Sequence, residues 1–331
     1  MKTTPLLSII AAVYNGEKFL ESFFKSIASQ KLENYELIIV NDGSTDSSLE
    51  ILNSWRAEFS EMKIITQPNQ GVSAARNTGM VEAKGKYLAF PDIDDKLYPG
   101  MYQTLLDMAE KGNLDIATCN GRYVYEEKRE SKPIFPREKL TSTGVISGAE
   151  WIKIALGSRK FLHVTWLNIY RHDFILHHNF SFEPGLRHQD IPWTTEALLA
   201  AERVQYTDKQ FYDYYIHSES VSHLPDTDET LVRSAHHYMK ILEMLDTINR
   251  RYADKVRHIR ACRWQIAKEG LGIIHTIDQI KSSETQRRLV KELFDRGIWQ
   301  LIWTNAEDLR LRWRLGRRYF RLKRLLHTHA A

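Results

Sequence analysis

Hydrophobic positions in the first 110 residues follow two alternating rhythms. Leu6 to Val13 is an almost unbroken apolar run, and Glu17 to Gln30 repeats apolar residues at Phe19, Leu20, Phe23, Phe24 and Ile27. The first reads as a strand buried on both faces and the second as a helix of 3.6-residue period. Tyr35 to Val40 predicts a second strand, Ser47 to Phe59 a helix, and Met62 to Thr66 a third strand. A helix entered at Val72 and a strand ending at Asp92 follow. Strands and helices that alternate through such short connections predict right-handed crossovers, hence an α/β fold with a mostly parallel, Rossmann-like sheet flanked by helices. Ligands of such sheets gather beyond the carboxyl ends of the strands, at the point where strand order reverses. Here that edge carries Tyr14-Asn15, Asp42-Gly43 and Asp92 to Asp95.

Beyond Leu114 to Cys119, another strand, the alternation loosens. Tyr125 to Leu140 is charged and proline-bearing, as in an exposed loop or edge hairpin. A helix is expected over Ser147 to Leu156, a strand over Val164 to Tyr170 and a helix over Ile191 to Ala201. Val204 to His223 reads as an aromatic-rich strand plus a flexible segment. From about Asp228 the pattern is helical throughout. The division expected is therefore a sheet domain over 1–225 and a helical extension over 226–331.

Composition narrows the setting without naming a chemistry. With 43% hydrophobic and 27% charged residues, the chain has ordinary globular proportions. A net charge of only +4 gives no global case for nucleic-acid binding. Cys119 and Cys262 are the only cysteines, too few for a disulfide framework or a thiolate zinc site. Met1 to Leu7 lacks the basic and apolar pattern of a signal peptide, and no window reaches the roughly 18 apolar residues of a spanning helix. The expected location is cytoplasmic.

The chemistry concentrates where the strand Lys86 to Pro91 runs into Asp92-Ile93-Asp94-Asp95, three carboxylates within four residues. Carboxylates crowded this way repel one another, and a hard divalent cation is a physical reason to gather them. The plain alternative is an acidic turn, with Asp95 helping to cap a helix near Pro99. No Gly-x-Gly-x-x-Gly follows the first strand and no Gly-Lys-Ser/Thr is present, which argues against a dinucleotide coenzyme and a P-loop.

Val13-Tyr14-Asn15, Val40 to Asp46, Asn69 to Asn77 and Asp92 to Asp95 stand in this order. Together they resemble the motifs of inverting glycosyltransferase family 2, of GT-A fold. Ser158-Arg159-Lys160 and His188-Gln189-Asp190-Ile191 extend the likeness toward the lipopolysaccharide-core transferases of enteric bacteria, including a glucuronosyltransferase-like branch. The resemblance implies a UDP-sugar donor, an acceptor sugar of the lipopolysaccharide core, and a Mn2+ or Mg2+ cofactor. By the same resemblance Asp42 accepts from the uracil imide, Tyr14 packs on the base, and Asn15, Gly71, Arg76 and Asn77 line the nucleotide. Asp92 serves the ribose or the metal shell, Asp94 binds the metal, and Asp190 is the catalytic base, preceded here by Gln189 where the family more often has Glu. His188 steers the acceptor. His217 and Ser220 fall in a segment similar to the loop that closes over the diphosphate, with His217 a possible metal ligand, and Tyr215 stands where the family often has Arg. Taken singly, each has an ordinary explanation: Asp42 and Asp190 as helix caps, Tyr14 as core rim, Arg76 as a solvated charge.

One feature lies outside these motifs. Leu309 to Leu326 holds eight basic residues and no acidic one. On a helix, Arg310, Arg314, Arg317, Arg321 and Arg324 share one face and Leu311, Leu315, Tyr319, Leu322 and Leu326 another, with Trp313 and Phe320 along a flank. That pattern suits an interfacial helix on the inner membrane surface, or equally a helix packed on the protein with a solvated basic face. Two other functional classes compete with a transferase. A sugar nucleotidyltransferase needs a glycine- and basic-rich loop that Ala11 to Gly16 lacks, and a basic scaffold protein leaves the acidic loop unexplained.

Overall fold

The computed structural model describes residues 4–125, 130–216 and 227–327. The chain divides into two compact units, Met1–His217 and Ser218–Ala331. The first unit opens with β1 (Leu7–Val13), α1 (Glu17–Ala28), β2 (Tyr35–Asp42), α2 (Ser48–Trp55), β3 (Met62–Gln67), α3 (Val72–Glu82) and β4 (Tyr87–Ala89). It continues through β5 (Lys96–Leu97), α4 (Met101–Gly112), β6 (Ile116–Tyr125), β7 (Glu130–Pro133), α5 (Gly148–Gly157), β8 (Asn168–Arg171), α6 (His172–His177), α7 (Asp190–Ala200) and β9 (Val204–Ile216).

Its sheet has the order β3-β2-β1-β4-β8-β6-β9-β5, with β7 paired to β6. The β3-β2-β1-β4 half is wholly parallel. β8 enters antiparallel between β4 and β6, so the sheet as a whole is mixed. The parallel half has an apolar core: Leu7, Ile9, Ile10, Ala11, Val13 and Leu37 to Val40 are all fully buried. Helix α1 covers it with Leu20, Phe23, Phe24 and Ile27. Helix α3 packs still closer because Gly79 lies against Ile10, where any side chain would collide.

Strand order reverses between β1 and β4, the place expected for a ligand crevice. Because β1 to β4 run parallel, Tyr14, Asp42, the start of α3 and Asp92 emerge at one edge.

Two local expectations change. Only Asn168–Arg171 of the expected strand is extended, because Asn168 turns the chain back: its N–H donates to Thr165 O at 3.1 Å and its Nδ2 to Val164 O at 2.7 Å. Asp95 caps no helix, since β5 intervenes and α4 begins after Gly100, whose φ of 81° is left-handed.

The second unit is helical: α8 (Asp228–Arg251), α9 (Ala253–Val256), α10 (Arg260–Gln279), α11 (Ser283–Asp295), α12 (Ile298–Thr304) and α13 (Leu309–His327). Thr227 caps α8 by accepting from Thr230 N–H. The Asp228 carboxylate ties the same end to the α10–α11 turn by accepting from Lys281 and Ser282 N–H at 2.8 and 2.9 Å. Leu245, Ile266, Ile273, Leu289, Leu293 and Ile302 form its core. Among the described residues no helix is long and apolar enough to cross a membrane.

Candidate active site

Arg76, on α3, is buried to 2% exposure, an expensive place for a guanidinium unless it is paired. Its Nη2 donates to Asp92 Oδ1 at 2.7 Å and its Nη1 to Asp190 Oδ1 at 3.1 Å. Three residues spread over more than a hundred positions are thus joined by one fork. Phe182 lies under the guanidinium at 5.3 Å and stacks on Trp193 at 3.9 Å, while Phe90 meets both edge-on. Burial pushes the Asp190 pKa up to about 6, Asp92 adds to the rise, and Arg76 opposes it. Asp190 opens α7, so that helix fixes its backbone position.

The acidic loop is the second cluster. Carboxylate oxygens of Asp92, Asp94 and Asp95 lie within 4.8 Å of one another. Asp95 is buried; its Oδ1 accepts from Tyr215 N–H at 3.1 Å, and its Oδ2 has no well-aligned hydrogen-bond partner among the described residues. Burial, then Asp94 and Asp92, hold its carboxyl well above the usual carboxylate range. Tyr212, stacked on Trp166 at 4.3 Å, accepts from Asp92 N–H and pins the loop from below. A set of three crowded carboxylates with an orphaned buried oxygen fits a hard divalent cation. In this geometry Asp92 belongs to both clusters.

Asp42 ends β2 and is almost wholly buried. It accepts from Gln67 Nε2 at 2.8 Å, Gln70 N–H at 3.0 Å and Gly71 N–H at 2.7 Å. Those bonds hold the loop that opens α3, and they use three of the roughly four acceptor positions of a carboxylate. Gly43, at φ 73°, makes the turn beyond it, where a Cβ would press on Asn69 N. Gly71, at φ 85°, faces open space. Tyr14 is 53% exposed on the rim.

Asn15 and Asn77 are chain clasps in this structure. Asn15 Oδ1 accepts from Thr45 N–H at 2.8 Å, and its own N–H donates to Ser44 Oγ at 3.0 Å. Asn77 exchanges two 2.8 Å bonds with the backbone of Phe182, placing that ring under Arg76. His188 is half-buried with a left-handed φ of 59°, two residues before Asp190. His217 and Ser220 lie outside the described residues.

Residues 8–168 match the family described as Glycosyl transferase family 2, and residues 228–329 match the Glycosyltransferase YibD C-terminal domain. The chain is 38% identical over 311 residues to the uncharacterized glycosyltransferase YibD of Escherichia coli K12, covering 94% of this chain and 90% of that one. It belongs to glycosyltransferase family 2. A second relative, the uncharacterized glycosyltransferase EpsJ of Bacillus subtilis, is 34% identical across 67% of this chain and 64% of its own. The fold is shared with S. aureus TarS 1-349 in complex with UDP-GlcNAc, at TM-score 0.63 and 17% identity, covering 95% and 91% of the two chains. It is shared too with the mannosyltransferase PcManGT of Pyrobaculum calidifontis, solved with GDP-Man and Mn2+, at TM-score 0.54 and 13% identity, covering 98% and 86%. This glycosyltransferase therefore has a GT-A fold, and the nucleotidyltransferase and scaffold expectations fall away.

Asp95 stands with Asp92 and Asp94 in the acidic loop, and its burial sets it apart from them. Two features around these clusters are not legible in the sequence of this glycosyltransferase. The pinning by Tyr212 and the aromatic wall of Phe182 and Trp193 left no sequence signal, because aromatic residues in a strand, a loop and a helix face look like ordinary core.

Proposed function

We propose that this enzyme transfers a hexose or hexuronic acid from a UDP-sugar to a sugar of the lipopolysaccharide core, with inversion at the anomeric carbon and at the inner face of the membrane. The observation that carries the reading is Asp190, raised to a pKa of about 6 and held by Arg76 next to the acidic loop. An acceptor hydroxyl loses its proton as its oxygen bonds to the anomeric carbon and the bond to the UDP oxygen breaks. A carboxylate of pKa near the working pH is suited to take that proton. The Asp190 carboxylate, oriented by Arg76, is the acceptor of that proton; His188 orients the sugar that brings it.

Asp92 and Asp94, joined by Asp95, are the residues to hold Mn2+ or Mg2+, which when bound offsets charge developing on the departing diphosphate. The remaining acceptor position of Asp42 suits an imide N–H, and exposed Tyr14 offers a ring face to the base. The UDP-GlcNAc held by TarS supports a UDP donor for this fold.

The test is a panel of UDP-sugars assayed with purified protein and lipopolysaccharide-core acceptor, reading UDP release and anomeric configuration. One donor should give acceptor-dependent UDP release in Mn2+ and an inverted product. Asp94→Ala should abolish that turnover while leaving the protein folded. Full turnover in excess chelator, or a retained configuration, overturns the reading.

A further inference from the structure

The fold has already used the leucine face of α13. Leu311, Leu315 and Leu322 are 5%, 0% and 0% exposed, packed within the helical unit where α13 adjoins α10 and α11. What lies opposite is unusual for a helix whose apolar side is satisfied. Leu309, Trp313 and Phe320 are 84%, 62% and 75% exposed. Spacings of four and seven residues put them on one stripe, pointing away from the buried leucines. At about 100° per residue, Arg310, Arg314, Arg317, Arg321 and Arg324 flank this stripe on one side and Arg312 and Lys323 on the other. Among the described residues Arg310 and Arg314 have no acidic partner. Arg317 lies 4.9 Å from the Trp313 ring and holds the indole outward. Between the arginine side and Leu271 and His275 of α10 runs a groove of ≈ 580 Å³.

We propose that the Leu309–Trp313–Phe320 stripe enters the interfacial layer of an anionic phospholipid bilayer, while the arginine groove beside it receives lipid phosphates. The occupant follows from charge and geometry together. A row of cations selects an anionic partner, and an exposed indole and phenyl ring between two basic flanks match the depth profile of a headgroup region. A soluble polyphosphate accounts for the arginines but not for the bare apolar stripe. The helix stays folded on its own unit throughout, so no part of the core is released on binding. This rests on the membrane-surface reading above and names the face that makes the contact.

The experiment is vesicle flotation of the full chain on phosphatidylglycerol–phosphatidylcholine and on pure phosphatidylcholine, at low and high salt. Wild type should float with anionic vesicles and keep a salt-resistant fraction, the part due to the apolar stripe. Trp313→Ser/Phe320→Ser should lose that fraction at least tenfold, and Arg314→Glu/Arg317→Glu should lose the salt-sensitive one. Both variants change exposed side chains, and unchanged circular dichroism and UDP-sugar hydrolysis separate this result from a failure of the transferase reading. Inorganic pyrophosphate in millimolar excess should leave the salt-resistant fraction bound. Equal flotation of wild type and Trp313→Ser/Phe320→Ser at both salt levels overturns the proposal. So does equal flotation on neutral vesicles, or complete release by pyrophosphate, which points to a soluble phosphate ligand instead.

Discussion

In the crevice one arginine serves two aspartates, and on α13 one aspartate serves two arginines. The first centres on a buried cation: the Arg76 side chain is 3% exposed, against 18% for Asp190 and 35% for Asp92. In the second the cations face solvent: Asp278, 12% exposed, meets Arg321 at 3.0 Å and also pairs with Arg318, both arginines more than a third exposed. Similar groups in inverse proportion therefore differ in consequence. Burial makes each charge in the crevice depend on its partner, shifts pKa values and fixes geometry. Solvent around α13 screens the arginines, so their repulsion is tolerable and their excess remains available to a partner.

The sharpest way to break this contrast is Asp190→Asn, which keeps shape and removes the base. Transfer should fall about 10²–10⁴-fold, with UDP affinity by calorimetry unchanged. Affinity lost as severely as turnover means Asp190 is a nucleotide ligand. The wild-type rate should also rise with pH through about 6, as the Asp190 proton leaves. Stability takes the opposite sign. The folded pKa of about 6 exceeds the ordinary carboxylate value of 3.8, so proton binding favours the folded state, and this contribution is lost as pH climbs from about 4 to about 6. Urea titrations at both pH values check it.

Arg76→Ala is next. Removing the fork between Asp92 and Asp190 leaves two carboxylates uncompensated, a cost of about 3–5 kcal/mol in urea unfolding. A loss under about 1 kcal/mol means water or a cation already screens the pair. Asp42→Ala should weaken UDP binding by about 1–3 kcal/mol and lower the melting temperature, because Gln70 and Gly71 N–H lose their acceptor as well. Weakened binding with an unchanged melting temperature separates a ligand role from the clasp. The smallest effect belongs to the surface. Asp278→Asn should cost about 1 kcal/mol or less and raise binding to anionic vesicles, since Arg318 and Arg321 are released. A loss comparable to that of Arg76→Ala erases the distinction between the two regions.

Sequence by itself determined what depends on neighbours along the chain. The apolar runs Leu7 to Val13 and Leu37 to Val40, and the helical period of α1, specify a parallel sheet because strand and helix burial impose their own spacings. That sheet puts Asp42 and Asp92 at one edge. The acidic loop and the basic tail were legible because their like charges are contiguous or recur at helical spacing. Tertiary structure alone decided the rest. Nothing between positions 76 and 190 announces that one guanidinium bridges Asp92 and Asp190, or that Asn77 seats Phe182 beneath it, since such contacts arise from how α3, α7 and β4 meet. Nor does the helical wheel of α13 say which apolar face is outermost. Leu311, Leu315 and Leu322 against Leu309, Trp313 and Phe320 are two faces of comparable hydrophobicity. Periodicity assigns residues to faces, but only packing decides which face the core consumes and which it leaves to solvent.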